Sequence, residues 1–265
     1  MRKTESPEEN DPAYRKDKRL RFTDGAAEFI SMDAFLRDMA EGPRKIAVAG
    51  HFGTGKTEFA VSLAFALAAE GIRPLALVDL DIENPYFRSR EQGENLERAG
   101  VRVYSDAYGG KSATELQTID PAIRAPLEDE GCRVICDLGG DPEGARLLNQ
   151  YTRYFRSDAR LLFVVNKNRP GTDTVEKALG QLRSIEAVTG LRITGLVSNT
   201  HLLRLTRRED VLEGWAFAQA LGKETALPVL CACCPRELLG SLEDTGLPLF
   251  PLGLYMRPTY LDRKL

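Results

Sequence analysis

The sequence predicts an α/β fold: a doubly wound, mainly parallel sheet flanked by helices. Three observations carry that expectation. Apolar runs of strand length alternate with segments of helical periodicity through most of the chain. The runs are apolar throughout, as strands covered on both faces are. Several end in Asp or Asn, as parallel strands do where their C-terminal ends open onto a site.

In chain order, residues 1–24 form a charged arm. The cluster Arg15-Lys16-Asp17-Lys18-Arg19-Leu20-Arg21 reads as solvated and mobile. Residues 25–265 read as a single domain with an irregular C-terminal tail. Phe29, Ile30, Met32, Phe35, Leu36 and Met39 recur at helical spacing, predicting a short helix beside the first strand, Ile46-Ala47-Val48-Ala49. Lys56 to Ala69 is an almost wholly apolar helix that needs cover on most of its surface, and Gly71 stops it. Pro74 to Asp81, Val101 to Tyr104, Arg133 to Asp137, Leu161 to Asn166 and Ile193 to Asn199 read as strands. Pro121 to Glu130 reads as a short helix. A clear amphipathic helix presents Val175, Leu179, Leu182, Ile185 and Val188 on one face and ends at Gly190. A helix over Val211 to Leu221 leads to a last strand, Pro228 to Cys231. The tail from Leu247, interrupted by prolines, reads as irregular.

With 265 residues, 43% of them hydrophobic, the chain has material for a sizeable core. A net charge of −3 provides no global field for nucleic acid or an anionic membrane. Five cysteines, no secretory signal and no 18-residue apolar run predict a reducing, cytoplasmic setting.

The chemistry concentrates in Gly50-His51-Phe52-Gly53-Thr54-Gly55-Lys56-Thr57, a complete G-x-x-x-x-G-K-[ST] pattern between a strand and an apolar helix. Glycines let backbone N–H groups turn inward around phosphate, Lys56 adds a mobile charge, and the Thr57 hydroxyl suits Mg²⁺. The expected nucleotide-binding set is Gly50, His51, Gly53, Thr54, Gly55, Lys56 and Thr57. Asp137 ends a strand and precedes Leu138-Gly139-Gly140-Asp141, which fits a carboxylate holding Mg²⁺ and a glycine, Gly140, donating to a γ-phosphate. Asp79 and Asp81 alternate along their strand and share a face at its mouth. One suits orientation of attacking water, the other support of the metal.

These motifs together, with Asn199 ending a late strand, resemble the MinD/ParA-like ATPases of the SIMIBI class of P-loop NTPases (the CobQ/CobB/MinD/ParA type), over roughly residues 44–240. The resemblance implies ATP and Mg²⁺ as cofactors, a Walker A loop at Gly50–Thr57, a catalytic Asp81 alongside Lys56, and metal ligation by Thr57 and Asp137 with Asp79 in support. It also implies adenine recognition by Asn199 and often a homodimer. The chain departs from it at His51, where members with the deviant loop carry a trans-acting lysine. A shorter, mostly neutral histidine either adds a weak charge or packs the loop.

Asn166-Lys167-Asn168-Arg169 stands where some G-proteins place an aspartate that reads guanine. Arg169 has no acceptor, so the sequence favours ATP over GTP. Asn84 to Glu91 falls where the family's first switch lies, and Tyr108-Gly109-Gly110-Lys111 suits a partner or substrate loop. Cys231, Cys233 and Cys234 continue a buried strand, where cysteine packs as a small hydrophobe; the alternative is a thiolate metal site, which would need about four ligands or two from each subunit of a dimer. The expected activity is that of a slow Mg-dependent ATP hydrolase or ATP-driven switch acting on a protein partner. The alternatives are an ATP-dependent phosphotransferase or ligase with a small-molecule acceptor, of the dethiobiotin-synthetase or cobyrinate-amidation kind, and a nucleotide-binding scaffold without hydrolysis.

Overall fold

A computed structural model describes residues 32–81, 92–105, 121–140, 145 and 147–256. The charged arm, the segment from Asn84 to Glu91, the loop Tyr108 to Lys111 and Asp141 lie outside the described residues.

Eight strands form one parallel sheet: β1 (Lys45–Ala49), β2 (Leu75–Leu80), β3 (Val101–Ser105), β4 (Arg133–Leu138), β5 (Ala159–Val165), β6 (Gly195–Ser198), β7 (Val229–Pro235) and β8 (Leu249–Leu252). Their order is β3-β2-β4-β1-β5-β6-β7-β8. β1 lies between β4 and β5, so the chain runs to one side of β1 through β4 and to the other from β5 onward. A reversal of this kind opens a crevice at the C-terminal ends of the central strands.

The apolar residues of each strand alternate between two faces, and each face has its own cover. Ile46 and Val48 of β1 join Leu75, Leu77, Ile135, Leu162 and Val164 beneath α1 (Met32–Glu41) and α2 (Lys56–Ala69). Ala47 and Ala49 join Val78, Cys136, Phe163 and Val165 on the other face, beneath α6 (Val175–Thr189) and α7 (Arg208–Thr225). The described residues also include four shorter helices: α3 (Gly93–Arg98), α4 (Arg124–Glu128), α5 (Thr152–Phe155) and α8 (Leu239–Leu242). Two-sided burial is why the strands read as continuous apolar runs rather than alternating ones.

Two expectations change. The first helix does not lie simply beside β1; its Phe35 meets Phe59 of α2 and Phe250 of β8, with ring centroids 6.5 and 5.4 Å away. The tail is not irregular from Leu247: Leu249–Leu252 forms β8, paired parallel with β7 at the sheet's edge. Pro251 has no N–H to give a ladder, which an edge strand tolerates because one of its sides needs no partner.

Candidate functional site

The loop from Gly50 to Thr57 leaves the C-terminal end of β1 and turns directly into α2. Its shape is held from within by Thr54, whose N–H and hydroxyl both donate to His51 O, at 3.2 and 2.8 Å. It is held from below by Asn199, at the end of β6, whose Nδ2 donates to Thr54 O at 2.8 Å. Gly55 has φ of 85°, and a β-carbon there would come within 2.3 Å of Asn199 Nδ2. Both the conformation and the close approach therefore exclude any side chain. Gly55 is also the N-cap of α2 and supplies no capping side chain, so the helix start is left for an external anion.

Three carboxylates gather behind this loop. Asp79 of β2 and Asp137 of β4 are direct neighbours in register, and Asp79 Oδ1 accepts the N–H of Asp81 at 3.0 Å. Asp137 is only 1% exposed, and among the described residues neither of its carboxylate oxygens makes a hydrogen bond of good geometry, the Thr57 hydroxyl being merely close. Burial, then the charge of Asp79, raises its pKa to about 8; Lys56 and the nearby Thr57 hydroxyl pull it down, and Asp81 pushes it up. Gly140, just beyond β4, lets the following turn close on the loop: a β-carbon there would lie 2.9 Å from the Phe52 backbone and 3.0 Å from Lys56 Nζ.

A buried carboxylate with two orphaned oxygens is costly unless a cation arrives. The oxygen donors of Asp137 and Thr57 fit Mg²⁺, which takes one or two protein ligands and fills its octahedron with phosphate oxygens and water. Among the described residues no cluster of three or more His, Cys, Asp or Glu side chains is placed to hold a metal alone.

From the loop, a cavity of about 480 Å³ extends toward the ends of β7 and β8, within the usual size range of small-molecule sites. Lys56, Thr57 and Asp81 line one end, and Cys233, Cys234, Pro235, Leu252, Leu254 and Met256 the other. The first is charged and the second, Glu58 apart, is apolar, a division like that of a nucleotide between phosphates and base. Asn199 and His201 lie between them. Asn199 Nδ2 is committed to the loop, which leaves Oδ1 as a buried acceptor without a partner. His201 Nδ1 accepts the Leu203 N–H at 3.2 Å, and burial, then Arg169, lowers its pKa to about 4. It is thus neutral near pH 7, with its proton on Nε2.

The apolar end is closed by the stretch after β8, which Glu58 of α2 holds. Its carboxylate accepts the N–H of Tyr255 and, at 3.1 Å, that of Met256. Burial raises the Glu58 pKa to about 7 against the pull of these two donors. Glu58→Ala is expected to cost about 2–3 kcal/mol of stability, the scale for hydrogen bonds to a buried charged group, read from urea denaturation.

Of the residues singled out from sequence, Gly53, Gly55, Lys56, Thr57, Asp81 and Asn199 line the cavity. Asp79, Asp137 and Gly140 stand immediately behind it. His51 does not line it; a β-carbon on Gly171 would lie 2.7 Å from His51 Nε2, so the ring packs against the turn after β5. That is the packing alternative for this residue, and it follows from a glycine 120 positions downstream that only the sheet order brings near. Gly50 and Thr54 shape the loop from inside; Val164 O would be 2.4 Å from a β-carbon on Gly50. Sequence reasoning missed Glu58, whose only local sign was a carboxylate in an otherwise apolar helix. It also gave Arg169 no place at the phosphate loop, yet Arg169 lines the cavity and lies against Gly53.

The sheet, the loop and the carboxylate behind it define an α/β protein of the P-loop NTPase fold. Among solved structures, the signal recognition particle receptor FtsY from Elizabethkingia anophelis is 21% identical with a TM-score of 0.44, over 82% of this chain and 71% of that one. FtsY from Mycoplasma mycoides is 13% identical with a TM-score of 0.46, over 82% and 73% of the two chains. The 54 kDa signal recognition particle protein from Aeropyrum pernix K1, in complex with GDP, is 20% identical with a TM-score of 0.47 over 83% of this chain. The match spans 51% of that longer protein. No protein-family model matches the chain, and no curated protein matches its sequence. No helix among the described residues is long and apolar enough to cross a membrane.

Proposed function

We propose that the protein is a SIMIBI-class, MinD/ParA-like nucleotide switch that binds ATP with Mg²⁺, hydrolyses it slowly and acts on a protein partner. The observation that carries this reading is the buried Asp137, with both oxygens unpartnered, behind a loop that offers Lys56, Thr57 and an uncapped helix start.

In this reading Lys56 neutralises the outer phosphates, and Thr57 with Asp137 holds Mg²⁺, supported by Asp79. Mg²⁺, when bound, spreads and neutralises the charge of the transferring phosphoryl group. Asp81, at the cavity wall and held through its backbone by Asp79, is positioned to orient water or accept its proton. Asp81→Ala is expected to retain ATP affinity and lose about 10²–10⁴-fold in the hydrolytic rate, read from single-turnover measurements with Mg²⁺. Unchanged turnover would remove Asp81 from the chemistry.

The choice of ATP rests on Asn199 Oδ1, an acceptor suited to the adenine amino group, and on the neutral His201 beside it. The argument against guanine from Arg169 loses its force, because that side chain lies at the loop. Asn199 Oδ1 also suits the donor edge of guanine, which makes a guanine nucleotide the second reading. Competition of ATP and GTP for a labelled nucleotide separates the two; preferential displacement by GTP would overturn the adenine assignment.

A further inference from the structure

We propose that Arg169 is a phosphate-binding cation that the chain holds over its own loop, a contact that selects the polyphosphate of the nucleotide. The inference rests on the nucleotide reading above and adds to it a residue outside the loop and outside the carboxylate cluster.

The turn that carries Arg169 is cross-linked by hydrogen bonds. Arg169 N donates to Asn166 O at 3.2 Å, and Thr172 N donates to Arg169 O at 3.0 Å. The Thr172 hydroxyl donates to Asn166 O at 2.7 Å, and Asn168 N donates to Asn166 Oδ1 at 2.9 Å. His51 packs against Gly171 of the same turn, so the turn and the loop are braced on each other. The guanidinium is thereby set on the loop's rim. A β-carbon placed on Gly53 would lie 3.4 Å from Arg169 Nε and 3.6 Å from Cζ.

The side chain has no internal partner for its charge. Among the described residues no carboxylate oxygen lies within 4.0 Å of the guanidinium, and the buried Nε makes no hydrogen bond. Arginine stays charged under all ordinary conditions and presents a planar fork that matches phosphate oxygens. Held half-buried beside a cavity without a counter-ion, it is satisfied by an anion in that cavity. A nucleoside triphosphate carries more negative charge than Lys56 and one divalent cation neutralise, so its phosphate chain supplies that anion. The positive charge also reaches the rest of the cavity, where it helps to hold His201 neutral.

The test is calorimetric titration of the unaltered protein, Arg169→Met and Arg169→Lys with ATP and with adenosine, each with Mg²⁺. Arg169→Met keeps most of the stem and removes the charge. It is expected to weaken ATP binding about 10- to 100-fold, the scale for a charge-assisted hydrogen bond, and to leave adenosine affinity nearly unchanged. Arg169→Lys is expected to recover part of the loss, and without nucleotide Arg169→Met should melt no lower than the unaltered protein. Equal ATP affinity in Arg169→Met, or equal weakening of ATP and adenosine together with a lower melting temperature, would overturn the assignment and leave the nucleotide reading standing. Failure of the unaltered protein to bind ATP would overturn both.

Discussion

Lys56→Ala is expected to abolish measurable ATP binding. Lys56 is buried at the start of α2, its Nζ lies against the turn at Gly140, and its charge pulls the Asp137 pKa down. Removing it strips the phosphate chain of its central cation and leaves the carboxylate cluster without compensation. Loss of one partner from a buried charge pair, here the lysine from the phosphate it neutralises, costs about 3–5 kcal/mol, which corresponds to a hundredfold or greater loss of affinity. Titration with a fluorescent ATP analogue reads the effect. Full affinity in the variant would show that the loop is not the phosphate site.

Asp137→Asn is expected to stabilise the nucleotide-free protein at alkaline pH while removing its response to Mg²⁺. The folded-state pKa of Asp137 is raised to about 8 from an ordinary 3.8, by burial first and by Asp79 second. Between those values the native state binds the proton more tightly than the unfolded chain. The protonated group's contribution is therefore fully present below about pH 4 and is lost as pH rises through about 8. Asparagine has no proton to lose, so the advantage of the variant over the unaltered protein grows from pH 6 to pH 9. Glu58, raised to about 7, acts in the same direction but is common to both proteins and drops out of the difference. With Mg²⁺ and ATP the order reverses, because the unaltered carboxylate gains a cation and the amide does not. Thermal midpoints at both pH values, with and without Mg-ATP, read both effects. A variant that keeps the full Mg²⁺-dependent rise would remove Asp137 from the metal site.

What the sequence made legible is what a short stretch of chain encodes. The loop pattern, the apolar helix behind it and the strands that carry Asp79 and Asp137 near their C-terminal ends are local signals, and each lies where the pattern predicted, within a residue or so. Contacts made by distant segments were not legible. Asn199 braces Thr54 across 145 positions, and Glu58 holds Tyr255 across 197. Nothing in either neighbourhood announces the pairing. Arg169 was considered only as the residue standing where some G-proteins read guanine, because its strand end was taken alone. The pairing of β5 with β1 instead brings the following turn against the loop. β8 was hidden by Pro251, which argues against a strand wherever both edges must be paired. At the sheet's edge that objection does not apply.

The central claim is that Gly50 to Thr57 and Asp137 form one site for a nucleoside triphosphate and Mg²⁺. Calorimetric titration of the unaltered protein with ATP, in Mg²⁺ and again in excess chelator, tests it most directly. The expected result is saturable binding at one site per chain that weakens markedly when Mg²⁺ is withdrawn. Absence of binding in Mg²⁺, or binding unaffected by the chelator, would contradict the claim.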